Sequence, residues 1–395
     1  MTSATVTLPP VQRPYLFLAL ALAAGLLVHL SASGAKLPVL FLIGIGFGVA
    51  LYHASFGFTA AYRNAILEND ISGITAQLLM LAAAMLLFAP ILAEGRVFGQ
   101  GVTGAVAPVS ISMAFGAFLF GIGMQLGGGC GSGTLFAAGG GNLRMVLVLV
   151  FFCVGGLWGS LDLYWWSQLP GLGSVSLGRE LGWGPAVGLQ LGALGLIYLG
   201  LRRLGWENKR PVWWDGGFSF QTLLKGPWPL LLSAGLLALL NWATLLIAGH
   251  AWSITWAFTL WGAKGAVALG WDVTASGFWS GGFPGRALAR PILADVTSVM
   301  NIGIVTGAFM AASLAGKMAP KTHMPWRSLL AAVVGGLLLG YGARLAYGCN
   351  IGAFFGGIAS TSLHGWVWII FAIPGNVLGV RLRPLFRLQE APPER

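Results

Sequence analysis

Leu126-Gly-Gly-Gly-Cys130-Gly-Ser-Gly-Thr-Leu-Phe136 and Leu345-Ala-Tyr-Gly-Cys349-Asn-Ile-Gly-Ala-Phe-Phe355 are two copies of one device, 219 positions apart (349 minus 130). Under that shift Gly116, Leu119, Gly121, Gly123, Leu126, Gly129, Cys130, Gly133 and Phe136 fall on identical residues, nine in the 21 positions from Gly116 to Phe136. A chain this rich in Gly, Leu and Ala would give ~2 by accident, so the repeat is real. Each copy is an apolar run, a Gly-Cys break and a short Gly-rich run. Gly129, Gly131 and Gly348 permit a sharp break and a close approach of other backbones. The helix after the break then starts inside an apolar layer, its first N–H groups unpaired and its dipole favouring an anion. The same environment strengthens a thiol as a hydrogen-bond donor, and Ser132, Thr134 and Asn350 add polar side chains at the same place.

The flanking composition says what the apolar layer is. Of 395 residues, 56% are hydrophobic and 8% charged, against roughly 25% charged in a soluble domain. Mean hydropathy is +0.80. Such a chain cannot cover its surface with polar groups in water, which excludes a soluble enzyme, a nucleic-acid-binding domain and a disordered regulator. The fold expected is an all-α polytopic membrane protein with two pseudo-symmetric repeats and short re-entrant half-helices. Apolar runs lie at about Tyr15–Leu30, Val39–Ala54, Gly73–Ala93, Pro108–Leu126, Met145–Ser160, Gly182–Leu201, Trp228–Gly249, Ile254–Gly270, Thr297–Gly316, Ser328–Tyr347 and Gly365–Val380. A span needs roughly 17–25 apolar residues, so the short Gly-interrupted runs are broken or re-entrant and the expectation is 9 to 11 crossings. The first run lacks a clear cleavage site and reads as a retained helix rather than a signal peptide.

The net charge of +11 follows the membrane reading and needs no nucleic-acid partner. Three segments collect the positive charge: Arg202, Arg203, Lys209, Arg210 and Lys225; Lys317, Lys321 and Arg327; and the tail with Arg381, Arg383 and Arg387. The positive-inside rule puts all three, the C-terminal tail included, in the cytoplasm. Counting crossings conflicts with this unless a segment near Ile254–Lys264 is re-entrant. The expected organisation is an N-terminal segment with the first helix (1–36), a first repeat (37–204), a basic loop (205–227), a second repeat (228–383) and a polar tail (384–395). The repeat leaves open whether its halves are parallel or inverted.

Other polar residues interrupt the apolar runs. Arg344 precedes Cys349 by five residues, where a charge costs several kcal/mol unless it faces a cavity or a partner. Its repeat equivalent is the neutral Gln125, and Lys264 is a second intramembrane cation unless it snorkels. Acidic residues are nearly absent from the runs, so the lining is positive or neutral and suits an anion. His53, Asn301 and His364 are polar candidates for the same lining, although a lone His or Asn in a membrane helix is more often a helix–helix contact. Cys153 reads as a small buried hydrophobe, and an odd cysteine count argues against a disulfide framework. No zinc, P-loop, dinucleotide or nucleophile-elbow motif is present, so no cofactor, metal or catalytic residue is expected.

The stretch Gly342-Ala-Arg-Leu-Ala-Tyr-Gly-Cys-Asn-Ile-Gly-Ala-Phe-Phe-Gly-Gly-Ile-Ala-Ser-Thr-Ser-Leu-His-Gly-Trp366, with the first Gly-Gly-Gly-Cys-Gly-Ser-Gly-Thr element, resembles the YeeE/YedE membrane family. The resemblance extends from about Leu40 to the C-terminus. It implies uptake of thiosulfate or of another sulfur or selenium compound across a bacterial inner membrane, with a TusA-like cytoplasmic sulfur carrier as partner. It also implies that cysteine S–H groups pass the ion inward, with Cys130 and Cys349 in two of three such positions. The third, commonly in an Arg-Phe-Cys-Phe element, is Gly57 of Ser55-Phe56-Gly57-Phe58 here. The function expected is import of a sulfur-containing anion, thiosulfate first. The rival readings are another sulfur or selenium cargo, or a persulfide transferase in which Cys130 hands sulfur to a carrier.

Overall fold

The computed structural model describes residues 9–214, 219–320 and 324–388. Lys321, part of the basic loop (215–218) and the end of the tail (389–395) lie outside them. The helices, in order, are α1 Arg13–Ser31, α2 Lys36–His53, α3 Phe58–Glu68, α4 Ser72–Glu94, α5 Ile111–Gly127, α6 Gly131–Gly139, α7 Leu143–Leu161, α8 Leu163–Ser167 and α9 Leu177–Glu180. There follow α10 Trp183–Arg203, α11 Phe220–Lys225, α12 Leu230–Ala248, α13 Thr255–Ala268, α14 Gly282–Ala289, α15 Val296–Leu314, α16 Trp326–Leu345, α17 Gly356–Ala359 and α18 Leu363–Leu382. A π-helical turn, Asn350–Phe355, leads into α17. Sheet is confined to two short antiparallel pairs, Arg96–Val97 with Gln100–Gly101 and Pro108–Ser110 with Gly171–Ser174.

Among the described residues ten helical segments are long and apolar enough to cross a membrane, with α2–α3, α5–α6 and α16–α17 each counted as one. The chain is therefore an all-α polytopic membrane protein, as its composition requires. The run Ile254–Gly270 is not a span. It forms the 14-residue α13, too short to cross.

Contacts at the helix ends sort the molecule into two faces. On one, Lys225 Nζ donates to the Pro9 carbonyl at 3.0 Å, and Gln12 Nε2 donates to the Met318 carbonyl at 2.9 Å. There too Trp228 N donates to His53 O at 2.9 Å, and Arg144 Nε donates to Ser328 Oγ at 2.9 Å. On the other, Lys36 Nζ donates to Ala248 O at 3.2 Å, Leu363 N to Val175 O at 3.0 Å, and Tyr341 Oη to Asp162 Oδ2 at 2.9 Å. His250 at the end of α12 and Val296 at the start of α15 line one pocket on that second face, so α13 between them enters and leaves on one side. All three basic segments consequently reach the first face, called the basic face below. The re-entrant α13 removes the conflict in the count of crossings.

This arrangement also orients the repeat. The 219-residue shift makes α16 the counterpart of α5, the Asn350–Ala359 segment that of α6, and α18 that of α7. α5 runs from the far face toward the basic face, and α16 runs the opposite way. α7 and α18 are likewise opposed. The halves are inverted and interleaved: α7 packs on α16 as α18 packs on α5, and α2 packs on α15 as α12 packs on α4. Between membrane helices such contacts rest on small residues that let backbones close together. A Cβ at Gly121 would collide with the Ala372 carbonyl, and one at its counterpart Gly340 with the Phe152 carbonyl.

Candidate functional site

Both cysteine elements break inside the bilayer. α5 ends in a left-handed Gly128 (φ +87°), and the turn after α16 passes through Gly348 at φ +149°. Cys130 is the N-cap of α6 and Cys349 the N-cap of the π-turn, both in extended backbone. From Cys130, α6 runs to the basic face, where Gly140 meets Tyr52. From Cys349, the π-turn and α17 run to the far face, where Ser360 Oγ accepts from Ala105 N at 2.9 Å. Two half-helices thus begin back to back at mid-depth and diverge. Their N-terminal N–H groups and positive dipole ends converge on one place.

The two thiols meet there. Cys130 is 1% exposed and Cys349 is fully buried. The Cβ position of Gly131, next to Cys130, lies 3.1 Å from Cys349 Sγ and 3.2 Å from Ile254 Cγ2, so only a hydrogen fits at that junction. A Cβ at Gly129 would press on the Gly133–Thr134 peptide at 3.2 Å, and one at Gly348 would lie 2.8 Å from Ala353 N. Ser132 Oγ lies 3.4 Å from Cys130 Sγ, and Ile351 N donates to Cys349 Sγ at 3.4 Å. Thr134 Oγ1 is committed elsewhere, donating to the Cys130 carbonyl at 2.8 Å. Asn350 Nδ2 donates to Tyr62 Oη at 3.2 Å, which brings α3 into the site.

The remaining sequence candidates stand apart from the thiols. Asn301 Nδ2 donates to the Ile254 carbonyl at 3.0 Å and holds the turn that lays Ile254 on Gly131. Gln125 Nε2 donates to Asn376 Oδ1 at 2.8 Å and to the Thr59 carbonyl at 3.2 Å. Arg344 lies on the α7 side of α16, its guanidinium 4.7 Å from the Phe278 ring centroid and its Nε sealed from solvent without a hydrogen-bond partner. Lys264 Nζ donates to the carbonyls of Leu288 (2.7 Å) and Arg290 (2.6 Å) at the far face, which is snorkelling. His53 packs on Trp228 at the basic face, ring centroids 5.1 Å apart, and His364 bonds Ser362 Oγ at 2.8 Å near the far face. The Gly57 Cβ position meets only Ala60 Cβ at 3.7 Å and Ser55 O at 3.8 Å. The backbone carbonyl of Cys153 packs against Gly262 on α13, and its thiol is free.

Sequence reasoning missed Tyr62 and Arg144. Arg144 NH2 donates to the Leu126 carbonyl at 2.7 Å and NH1 to that of Gly127, closing the broken end of α5. Its position, two residues after the N-cap Asn142, reads in sequence as a loop charge.

A family model described as sulphur transport matches residues 53–378. The chain is 33% identical over 192 residues to the probable transporter YedE of Escherichia coli, covering 47% of this chain and 43% of that protein. It is equally similar to YedE of Salmonella typhimurium, over 193 residues with the same coverage. The chain thus matches less than half the length of these two relatives. To the thiosulfate transporter TsuA of Spirochaeta thermophila it is 27% identical over 353 residues, which are 85% of this chain and 95% of that one. Matched over most of its length by the family model, and bearing both cysteine elements, this chain is a member of the sulphur transport family, the YeeE/YedE group.

Proposed function

We propose that the protein carries a sulfur-containing anion, thiosulfate first, across the bacterial inner membrane toward the basic face, which is cytoplasmic. The observation that carries this reading is the convergence of two half-helix N-termini and two buried N-cap thiols at mid-depth. N-terminal N–H groups bind negative charge, while S–H groups are weak, polarisable donors matched to a sulfur atom. The cargo is held by hydrogen bonds weak enough to release it, with no covalent step. Arg344 supports an anionic cargo, because its guanidinium lies over the Phe278 ring with its Nε sealed from solvent and unpaired among the described residues, which raises the local potential. Similarity to a thiosulfate transporter over 85% of this chain supports thiosulfate ahead of other sulfur or selenium anions. A TusA-like sulfur carrier is the proposed acceptor at the basic face.

The test is growth of a host lacking its own sulfur uptake on thiosulfate as sole sulfur source, with and without the chain, together with uptake of radiolabelled thiosulfate. Losing a hydrogen bond to a charged, buried ligand costs about 1.5–3 kcal/mol, or about 10- to 100-fold. Cys130→Ala is expected to reduce uptake by at least that much and Cys349→Ala to impair it. Normal uptake by both variants would overturn the relay. A persulfide mass increment on Cys130 after exposure to substrate would instead identify a sulfur transferase.

A further inference from the structure

Tyr62 and Asn350 form a hydrogen-bonded pair with more donors than acceptors. Tyr62 is 6% exposed on α3, within electrostatic range of Cys130, and Asn350 is fully buried next to Cys349. Asn350 Nδ2 donates to Tyr62 Oη at 3.2 Å. Among the described residues the Tyr62 O–H then has no acceptor, and Asn350 Oδ1 has no partner. Reversing the amide does not balance the pair: Oδ1 would take the Tyr62 proton, and both amide N–H groups would be left over. Either way a donor stands unused in a water-poor site, at a cost comparable to a lost hydrogen bond. The Cys349 sulfur accepts from Ile351 N, which leaves its S–H as a further donor facing the same place. A buried site whose unused donors, the Tyr62 O–H and the second Asn350 N–H, outnumber its one unpaired acceptor atom, Asn350 Oδ1, is complementary to a ligand made chiefly of acceptors.

The pair also breaks the internal symmetry. The thiols occur once per repeat, but the counterpart of Asn350 is Gly131. Aligning Phe258-Thr259 with Phe58-Thr59, a shift of 200, puts Gly262 at the place of Tyr62. Two matched thiols alone would not distinguish one end of a ligand from the other. One tyrosine–asparagine pair beside them does.

We infer that the Tyr62 hydroxyl and the Asn350 amide are the oxyanion-recognising donors of this site, holding the oxygen atoms of the anion while the thiols face its sulfur. This rests on the transport reading above and adds an orientation and a selectivity to it.

The experiment is uptake into proteoliposomes containing the full chain, with thiosulfate as cargo and sulfite, sulfate and hydrosulfide as competitors. Tyr62→Phe keeps the ring and removes the proton. It is expected to raise the half-saturating thiosulfate concentration about tenfold and leave the maximal rate within about twofold, as for loss of one hydrogen bond to a charged ligand. Competition by the oxyanions should weaken in parallel, while competition by hydrosulfide stays unchanged. Asn350→Asp is the second variant. Its carboxylate would accept the Tyr62 proton and preserve the pair, yet repel the cargo, so a structural role predicts near-normal uptake and ligand recognition predicts its loss. Thermal unfolding in detergent checks that both variants fold. Normal half-saturation in Tyr62→Phe, or normal uptake in Asn350→Asp, overturns the inference while leaving the transport reading intact if Cys130→Ala is inactive. A wild-type chain that neither takes up nor is thermally stabilised by thiosulfate, sulfite or sulfate overturns both.

Discussion

At the scale of single residues, the contact between the two cysteine elements is set by what glycine leaves empty. The Cβ position of Gly131 is 3.1 Å from Cys349 Sγ, whereas that of Gly133 is an ordinary 3.7 Å from Cys130 Sγ. The two glycines lie two positions apart in one short helix, so they form a matched pair. Gly131→Ala is expected to push the thiols apart and reduce thiosulfate uptake about 10- to 100-fold, the scale of a displacement near 1 Å in a positioned site. Gly133→Ala should transport within about twofold of wild type, since an ordinary contact needs no rearrangement. Equal effects in uptake assays at matched expression would show that the Gly131–Cys349 contact does not define the path. Gly57→Cys should also be tolerated, because its Cβ position has ordinary contacts only and the backbone there is extended (φ −120°). The cysteines, and the glycines that seat them, were legible in the sequence because the repeat marks them twice. Tyr62 was not, because it occurs once and its importance comes from a partner 288 positions away.

At the scale of elements, breaking a span between the two faces creates a problem at the C-terminal end of the first piece as well as an opportunity at the N-terminus of the second. The last carbonyls of a helix need donors, and hydrocarbon supplies none. α5 solves this with Arg144, whose guanidinium reaches from the first turn of α7 to the Leu126 and Gly127 carbonyls while its Nε bonds Ser328 Oγ. Arg144→Ala leaves those two carbonyls bare and should destabilise the protein by about 2–6 kcal/mol, at about 1–3 for each unsatisfied group. In a detergent melt this appears as a midpoint lowered by several degrees. Arg144→Lys should fall between, because an ammonium lacks the planar fork that serves two acceptors and Ser328 together. A melt unchanged in Arg144→Ala would show that water or lipid caps α5 instead. The apolar runs of the sequence foretold these elements, but run length alone overcounted: Ile254–Gly270 has the hydropathy of a span and only 14 helical residues.

At the scale of the whole molecule, inversion of the repeats explains how two similar halves send their half-helices to opposite faces. Each half contributes one half-helix beginning at the centre, and inversion sends one to each face. A parallel repeat would send both the same way and bring one N-terminus to the centre without its opposite. Hydropathy and motif spacing do not encode direction, because a helix reads alike whichever way it crosses. The loop charges encode it. The contacts that gather Lys225, the Met318 turn, Arg144 and Arg383 at one face, with ten crossings between the ends of the described chain, put those ends on that same face. On the positive-inside rule this is the face proposed above as cytoplasmic. Substituted-cysteine labelling tests this with little background, since Cys130 and Cys349 are buried. Asp272 is exposed at the far face, where its loop neighbour Trp279 bonds Ser160 Oγ at the end of α7 at 2.9 Å, and Arg203 is exposed where α10 reaches the basic face. In intact cells a membrane-impermeant maleimide should label Asp272→Cys at once and Arg203→Cys only after permeabilisation. The reverse pattern would turn the molecule over and put the basic face outside, so that transport toward it would be export.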